Sequence, residues 1–318
     1  MKVAFWSNVH GQTGVTSNVI ALALMAAIEK KKVALLQSHF VLNNMSKPLV
    51  GTDVNPEEFR DTGIDALIRD YKSRALSEDV IRTDAITVPN LNRRCDLYIG
   101  TGRQNEADYE RELLTVFEDI YDSVDKFHNL SFIDVRSGYR EVSQSILSCA
   151  DVVVVCLNQN THVIDRYFAK PVDSNNVYYL FGNYDENSKF TLKNLQKKYP
   201  ALRKRSATIA HNAEFMDAQN DGQAVQFMLK NYNWSKPIRS VGVRGADLVT
   251  DNYWEQIDLF SSVEKREKQM KMDSAVDEIR RRFGFYSIQR GLMYRDRILS
   301  AVNAKEEHTV HPHGYFLG

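Results

Sequence analysis

The 318-residue chain has only three cysteines, Cys95, Cys149 and Cys156. They are scattered without the spacing of a metal knuckle or a redox pair, which excludes a disulfide framework. They read as small apolar residues of a protein kept in a reducing cytosol. Net charge is missing too, since 41 Lys and Arg balance 41 Asp and Glu. The chain as a whole therefore exerts no pull on nucleic acid, and only local basic patches remain for that purpose. No apolar run is long enough to cross a membrane, and no charged segment with a cleavage site opens the sequence. Internal repeats and low-complexity tracts are also absent. A cytoplasmic protein is expected, peripheral to a membrane only through partners or an amphipathic helix. What is present builds a core: 43% of residues are hydrophobic, and the length suits one large α/β domain or two small ones.

The chain is organised around Lys2 to Ile28, KVAFWSNVHGQTGVTSNVIALALMAAI. An apolar run from Val3 to Trp6 leads through Gly11 and Gly14 into an Ala-rich apolar segment, which reads as strand, tight turn and helix. In such a turn the backbone N–H groups gather beside a helix N-terminus, a place suited to phosphate. Against the phosphate-loop pattern GxxxxGK[ST], Gly14 takes the second glycine and Thr16 the Ser/Thr position. Val15 stands where the lysine belongs, and Val9 replaces the first glycine.

This stretch resembles the loop KGGVGKTT of ParA/MinD-type P-loop proteins. In that alignment His10 replaces the early lysine, Gly11 is kept, Gln12 replaces a glycine and Ser17 a threonine. Both lysines are missing, and with them the positive charge that holds the β- and γ-phosphates. Eroded loops of this kind resemble those of TadZ-like (CpaE-like) localisation proteins of Tad/Flp pilus systems. The resemblance implies a mostly parallel, doubly wound α/β sheet of the P-loop NTPase type. It also implies Gly11, Gly14, Val15, Thr16 and Ser17 as the cofactor-binding loop, and weak binding, if any, of ATP and Mg²⁺.

Lys32 to Leu36 reads as a second buried strand. The resembled family follows it with acidic residues, where this chain has Gln37, Ser38 and His39. The loss of those carboxylates weakens the case for Mg²⁺ and for activation of water. His39 itself reads as a loop-tip histidine. Residues 48–93 read as loop with short helices at Ile64–Tyr71 and Leu76–Ile81. A strand at Asp96–Gly100 follows, then a helix at Asn105–Phe127 with Tyr109, Leu113, Phe117 and Ile120 as its apolar stripe. Leu130 to Gly138, LSFIDVRSG, resembles the Walker B strand, which makes Asp134 with Thr16 the candidate metal residues. Ser143–Cys149 reads as a helix, and the β-branched run Asp151–Leu157 as a strand buried on both faces. Asn176–Asn183 reads as another strand. The resemblance offers Asn183 for the adenine edge, and a plain turn asparagine fits equally well. Lys193 to Arg205 is a basic cluster around Tyr199, read either as a solvated basic helix or as a non-specific DNA contact. Thr208–Gly222 resembles the family's last strand and helix, which brings the resemblance to about residue 230.

From Trp234 the text changes. The segment WSKPIRSVGVRGADLV, then EQIDLF and the rest of the chain, resembles the C-terminus of Gram-positive Y-family translesion DNA polymerases. The expected division is therefore a ParA/MinD-like domain at 1–232 and a helical, partly irregular tail at 233–318. Gln256, Ile257, Asp258, Leu259 and Phe260 match a pentapeptide that docks on the β sliding clamp. In it Gln256 offers an amide, and Leu259 and Phe260 offer adjacent apolar anchors. Val263–Phe283 reads as a largely basic helix, and His308, His311 and His313 as an exposed polar tail. Nothing corresponds to the polymerase palm, so nucleotidyl transfer is not expected. Three functions follow: a non-catalytic, dimeric localisation scaffold with pilus-assembly partners; a repair accessory carried to the β clamp; and a partition ATPase whose missing charge is supplied from elsewhere.

Overall fold

The computed structural model describes residues 1–40, 44–51 and 61–231, together with Ala275 and Arg282. Eight strands form one sheet: β1 Lys2–Trp6, β2 Val33–Gln37, β3 Ile86–Thr87, β4 Cys95–Tyr98, β5 Leu130–Asp134, β6 Val152–Leu157, β7 Val177–Tyr184 and β8 Ser206–Ala210. Their order is β3-β4-β2-β5-β1-β6-β7-β8. All pairings are parallel except that of the two-residue edge strand β3 with β4. β1 lies inside the sheet between β5 and β6, so the chain leaves its carboxyl end where the connections diverge to both sides. In open parallel sheets that crevice is where ligands bind.

Alternation along β1 shows how the sheet is sandwiched. Ala4 and Trp6 belong to the core that includes helices α3 Gly63–Ser73, α5 Glu106–Phe127, α6 Glu141–Cys149 and α7 Thr161–Ala169. Val3 and Phe5 point the opposite way, and Phe5 meets Phe132 edge-on at 5.5 Å. Helix α1, Val15–Ile28, packs against strands of the sheet and against α10, Ala224–Lys230. Burial around almost its whole circumference explains its Ala- and Leu-rich text, with no polar stripe to spare. β6, VVVVCL, is buried at every residue. Each fully buried Val, Leu, Ile or Phe side chain contributes about 1.5–3 kcal/mol of transfer free energy.

The expected helix at 105–127 is present as α5, capped by the Asn105 side chain, which accepts from Asp108 N. Its four stripe residues are buried. Four elements have no counterpart in the sequence reading: β3, α7, α10 and α2, Ser46–Val50. α4 is Glu78–Thr83, α8 is Leu192–Lys198 and α9 is Ala213–Asn220. Burial pushes the Cys156 thiol up to about 12, and the buried Cys95 thiol is pushed up as well. Both behave as small apolar groups at neutral pH. Among the described residues no helix is long and apolar enough to cross a membrane.

Candidate functional site

β1 hands the chain to a loop that is tied to the loop after β5. The Trp6 indole Nε1 donates to Gly138 O at 2.9 Å, and Gly138 N donates to Ser7 O at 2.9 Å. Asn8 Nδ2 donates to Val163 O at 3.0 Å, and Asn158 Nδ2 donates to Gln12 O at 3.1 Å. The loop is thus fixed on both flanks before α1 begins. Gly11 and Gly14 both adopt positive φ. At Gly14 a Cβ would find ample room, its nearest neighbour being Asn183 Nδ2 at 3.9 Å. The backbone angle of +64° is what demands glycine there. α1 then starts at Val15 with no side-chain cap and no acidic residue in its first turn. No side chain caps its leading N–H groups.

The lysine position is apolar in space as well as in sequence, because the Val15 side chain is buried. Ser17 lies in the first turn of α1, partly exposed. Thr16 Oγ1 donates to Asp134 Oδ2 at 2.8 Å, so the two candidate metal residues do meet. Asp134 sits at the end of β5 in register with Phe5 on one side and Gln37 on the other. Asn44 Nδ2 donates to Thr16 Oγ1 at 3.3 Å, and Gln37 Nε2 donates to Asn44 Oδ1 at 2.6 Å.

The loop-tip assignment of His39 is corrected here. His39 is buried, and its Nε2 lies 3.2 Å from Asp134 Oδ1, in ion-pair range although not aligned as a hydrogen bond. The chain stays inside after β2 because it remains bonded to its neighbours. Ser38 N and Ser38 Oγ both donate to Asp134 O, at 3.1 Å each. Phe40 bridges to Thr101 in parallel. Gln37, Ser38 and His39 are all buried, where the resembled family carries acids.

This arrangement answers whether the residues fit magnesium and phosphate. Magnesium keeps several waters in a strict octahedron, so a carboxylate that holds it must have an oxygen free to face the ion or its waters. Asp134 is 0% exposed, with the Thr16 hydroxyl on one oxygen and the His39 imidazole facing the other. The site does not fit a magnesium ion. It does fit a phosphate group, through the glycine-turned loop and the uncapped start of α1. No lysine or arginine lies between Ser7 and Ser17. The arginines that follow β5 are already engaged. Arg136 pairs with Glu106 and, at 3.6 Å, with Glu110; Arg140 pairs with Glu106 at 2.9 Å and Glu110 at 3.0 Å.

Asn183 is exposed, with φ +49° beside an irregularity of β7 between Phe181 and Tyr184. That is turn geometry, and it stands next to the loop at Gly14. Beside it Gly182 allows a close approach: a Cβ there would lie 2.6 Å from Asn18 Nδ2 and 3.1 Å from Thr13 O. Asn18, which braces the loop by donating to Thr13 O at 3.3 Å, went unnoticed in the sequence. So did Asn44 and Asn158. Only a polar residue closing an apolar strand, as Asn158 closes β6, could have flagged any of them. The basic cluster 193–205 lies on α8 and the connection to β8. Its Lys and Arg side chains are exposed around buried Leu195, Tyr199 and Leu202. Gln256 to Phe260, the basic helix except for Ala275 and Arg282, and the three histidines of the tail lie outside the described residues.

Comparison with known proteins agrees with this geometry at the level of fold. A ParA family ATPase from Chlorobium tepidum TLS superposes with a TM-score of 0.58 at 14% identity, over 74% of this chain and 96% of that one. Apo McdA from Cyanthece gives 0.53 at 15% identity, over 76% and 98%. The septum site-determining protein MinD of Pyrococcus horikoshii OT3, complexed with Mg-ADP, gives 0.51 at 13%, over 77% and 100%. The described part of the chain has the ParA/MinD-type P-loop fold. No family model matches the sequence. A DNA polymerase IV from Acetivibrio thermocellus is 45% identical over 80 residues, 25% of this chain. The chain spans about a fifth of that polymerase's length.

Proposed function

We propose that this chain is a localisation or scaffold protein built on a ParA/MinD-like fold. In this reading it is TadZ-like, works as a dimer that grips pilus-assembly partners, and hydrolyses ATP weakly or not at all. One observation carries the reading. Every element that neutralises or fires a triphosphate has been replaced by a neutral or internally paired group: buried Val15 for lysine, buried Gln37, Ser38 and His39 for acids, and Arg136 and Arg140 locked to glutamates. The cradle is retained, so a nucleotide held through backbone N–H groups, Thr16 and Asn183 is part of the proposal. Without a cation at the β- and γ-phosphates the transition-state charge is not stabilised. Phosphate release from ATP by the full chain is expected to stay at the no-enzyme background. Turnover at the rate of a lysine-bearing ParA or MinD protein measured alongside would overturn the reading and favour a partition ATPase.

A second reading is favoured by the polymerase match. In it the tail carries the chain to the β sliding clamp through Gln256–Phe260, and the P-loop part is a companion module in DNA repair. The exposed Lys193, Lys197, Arg203, Lys204 and Arg205 would serve that reading as a non-specific contact with the DNA backbone.

A further inference from the structure

The same site carries a more specific statement about what it holds. In a phosphate loop the backbone N–H groups cradle the α- and β-phosphates, while the lysine and the metal ion act on the β- and γ-phosphates. These two jobs have come apart in this chain. The backbone part is intact: Gly14 keeps its left-handed turn, α1 begins uncapped, and the loop is braced by Asn8, Asn18 and Asn158. Thr13 is buried at 2% exposure, and its Oγ1, like Asn8 Oδ1 in the same loop, has no hydrogen-bond partner. That is a polar atom left for a ligand.

The other part has been closed from within. The His39 imidazole stands 3.2 Å from Asp134 Oδ1 and occupies the approach to that oxygen. Thr16 holds the second oxygen, and Asn44 and Gln37 complete a chain of bonds behind it. The Asp134 carboxylate is therefore left with no lysine at position 15 and with both oxygens faced by side chains of the protein. A third phosphate would add negative charge that no lysine or arginine of the loop offsets.

We infer that this is a metal-indifferent site selective for a nucleoside diphosphate, with His39 standing where the ion would act. The inference rests on the cradle proposed above, and it goes further by naming the ligand class and the absence of a magnesium requirement.

The test titrates fluorescent N-methylanthraniloyl-ADP and the matching ATP analogue against the full chain, once in excess magnesium and once in EDTA. The ADP analogue is expected to bind with the same affinity in both, within about twofold, and the ATP analogue about fivefold or more weakly. A His39→Ala chain is expected to acquire a magnesium dependence, because it reopens the carboxylate. A Val15→Lys chain is expected to reverse the preference toward ATP. Magnesium tightening of about tenfold or more in the native chain, or ATP binding at least as tightly as ADP, overturns the inference and leaves the cradle standing. So does a folded Val15→Lys chain with an unchanged ratio. Binding of neither nucleotide overturns the cradle reading itself.

Discussion

At the scale of single residues the site is a set of close approaches, and Gly182 is the tightest of them. A methyl group there would meet Asn18 Nδ2 at 2.6 Å, Asn18 Oδ1 at 2.9 Å and Thr13 O at 3.1 Å. Gly182→Ala must therefore displace the Asn18 amide from its bond to Thr13 O and crowd the loop backbone at Thr13. Overpacking of this kind costs about 1–3 kcal/mol, read as a lowered denaturation midpoint with an unchanged slope. Adding Asn18→Ala removes the two nearest clashes but not the third, so the double variant is expected to recover part of the loss. Full additivity of the two losses would show that the contact is not what constrains the position. None of this could be read from the sequence, where Gly182 and Asn183 form an ordinary turn pair. His39 was misread for the same kind of reason. A histidine two residues past a strand has no periodicity to declare it buried, and its partner Asp134 lies 95 positions away in the chain. What could be read was the local chemistry: Gly14, Thr16 and the missing lysine depend on neighbours in sequence, and Asp134 on the apolar run before it.

At the scale of elements, strands and long helices were legible because their apolar periods are local. α5 shows its stripe at 109, 113, 117 and 120, and β6 its β-branched run. α7 was missed because its buried residues, Val163, Ile164 and Tyr167, fill less than two turns, and its Asn160 cap was the one remaining signal. β3, two residues long, has no period at all. The junction of α3 and α4 carries a prediction of its own. Asp84, at the end of α4, is 1% exposed, and its Oδ2 has no hydrogen-bond partner. Its backbone oxygen accepts from Gly63 N at the start of α3. Burial, and then the charge of Asp70, push its carboxyl up to about 7, against opposing effects of Arg69 and Arg74. The folded state therefore holds a proton that the unfolded chain releases near 3.8. The stabilisation is fully present below that pH and is lost as pH rises through about 7. The swing is on the order of 2–4 kcal/mol. Asp84→Asn keeps the shape without the charge, so it is expected to raise stability at pH 8 and to flatten the profile between pH 4 and 8. An unchanged slope in urea titrations across that range would show that Asp84 is already ionised in the fold.

At the scale of the whole molecule the question is what a P-loop fold without its cations gains from the text that follows it. The fold is shared with ParA, McdA and MinD proteins at 13–15% identity, while 80 residues are 45% identical to a DNA polymerase IV. In the clamp-binding proposal Leu259 and Phe260 are the anchors that would fill a pocket on another protein, with Gln256 to orient the peptide. Anchors of this type lose about 2 kcal/mol or more when cut to alanine, which is about 30-fold in affinity for each. The full chain is expected to retain the β sliding clamp on a column, and Leu259→Ala with Phe260→Ala to abolish retention while nucleotide titrations stay unchanged. Equal retention by both chains would remove the clamp from the account. The scaffold reading would then have to find its partners on the P-loop fold itself.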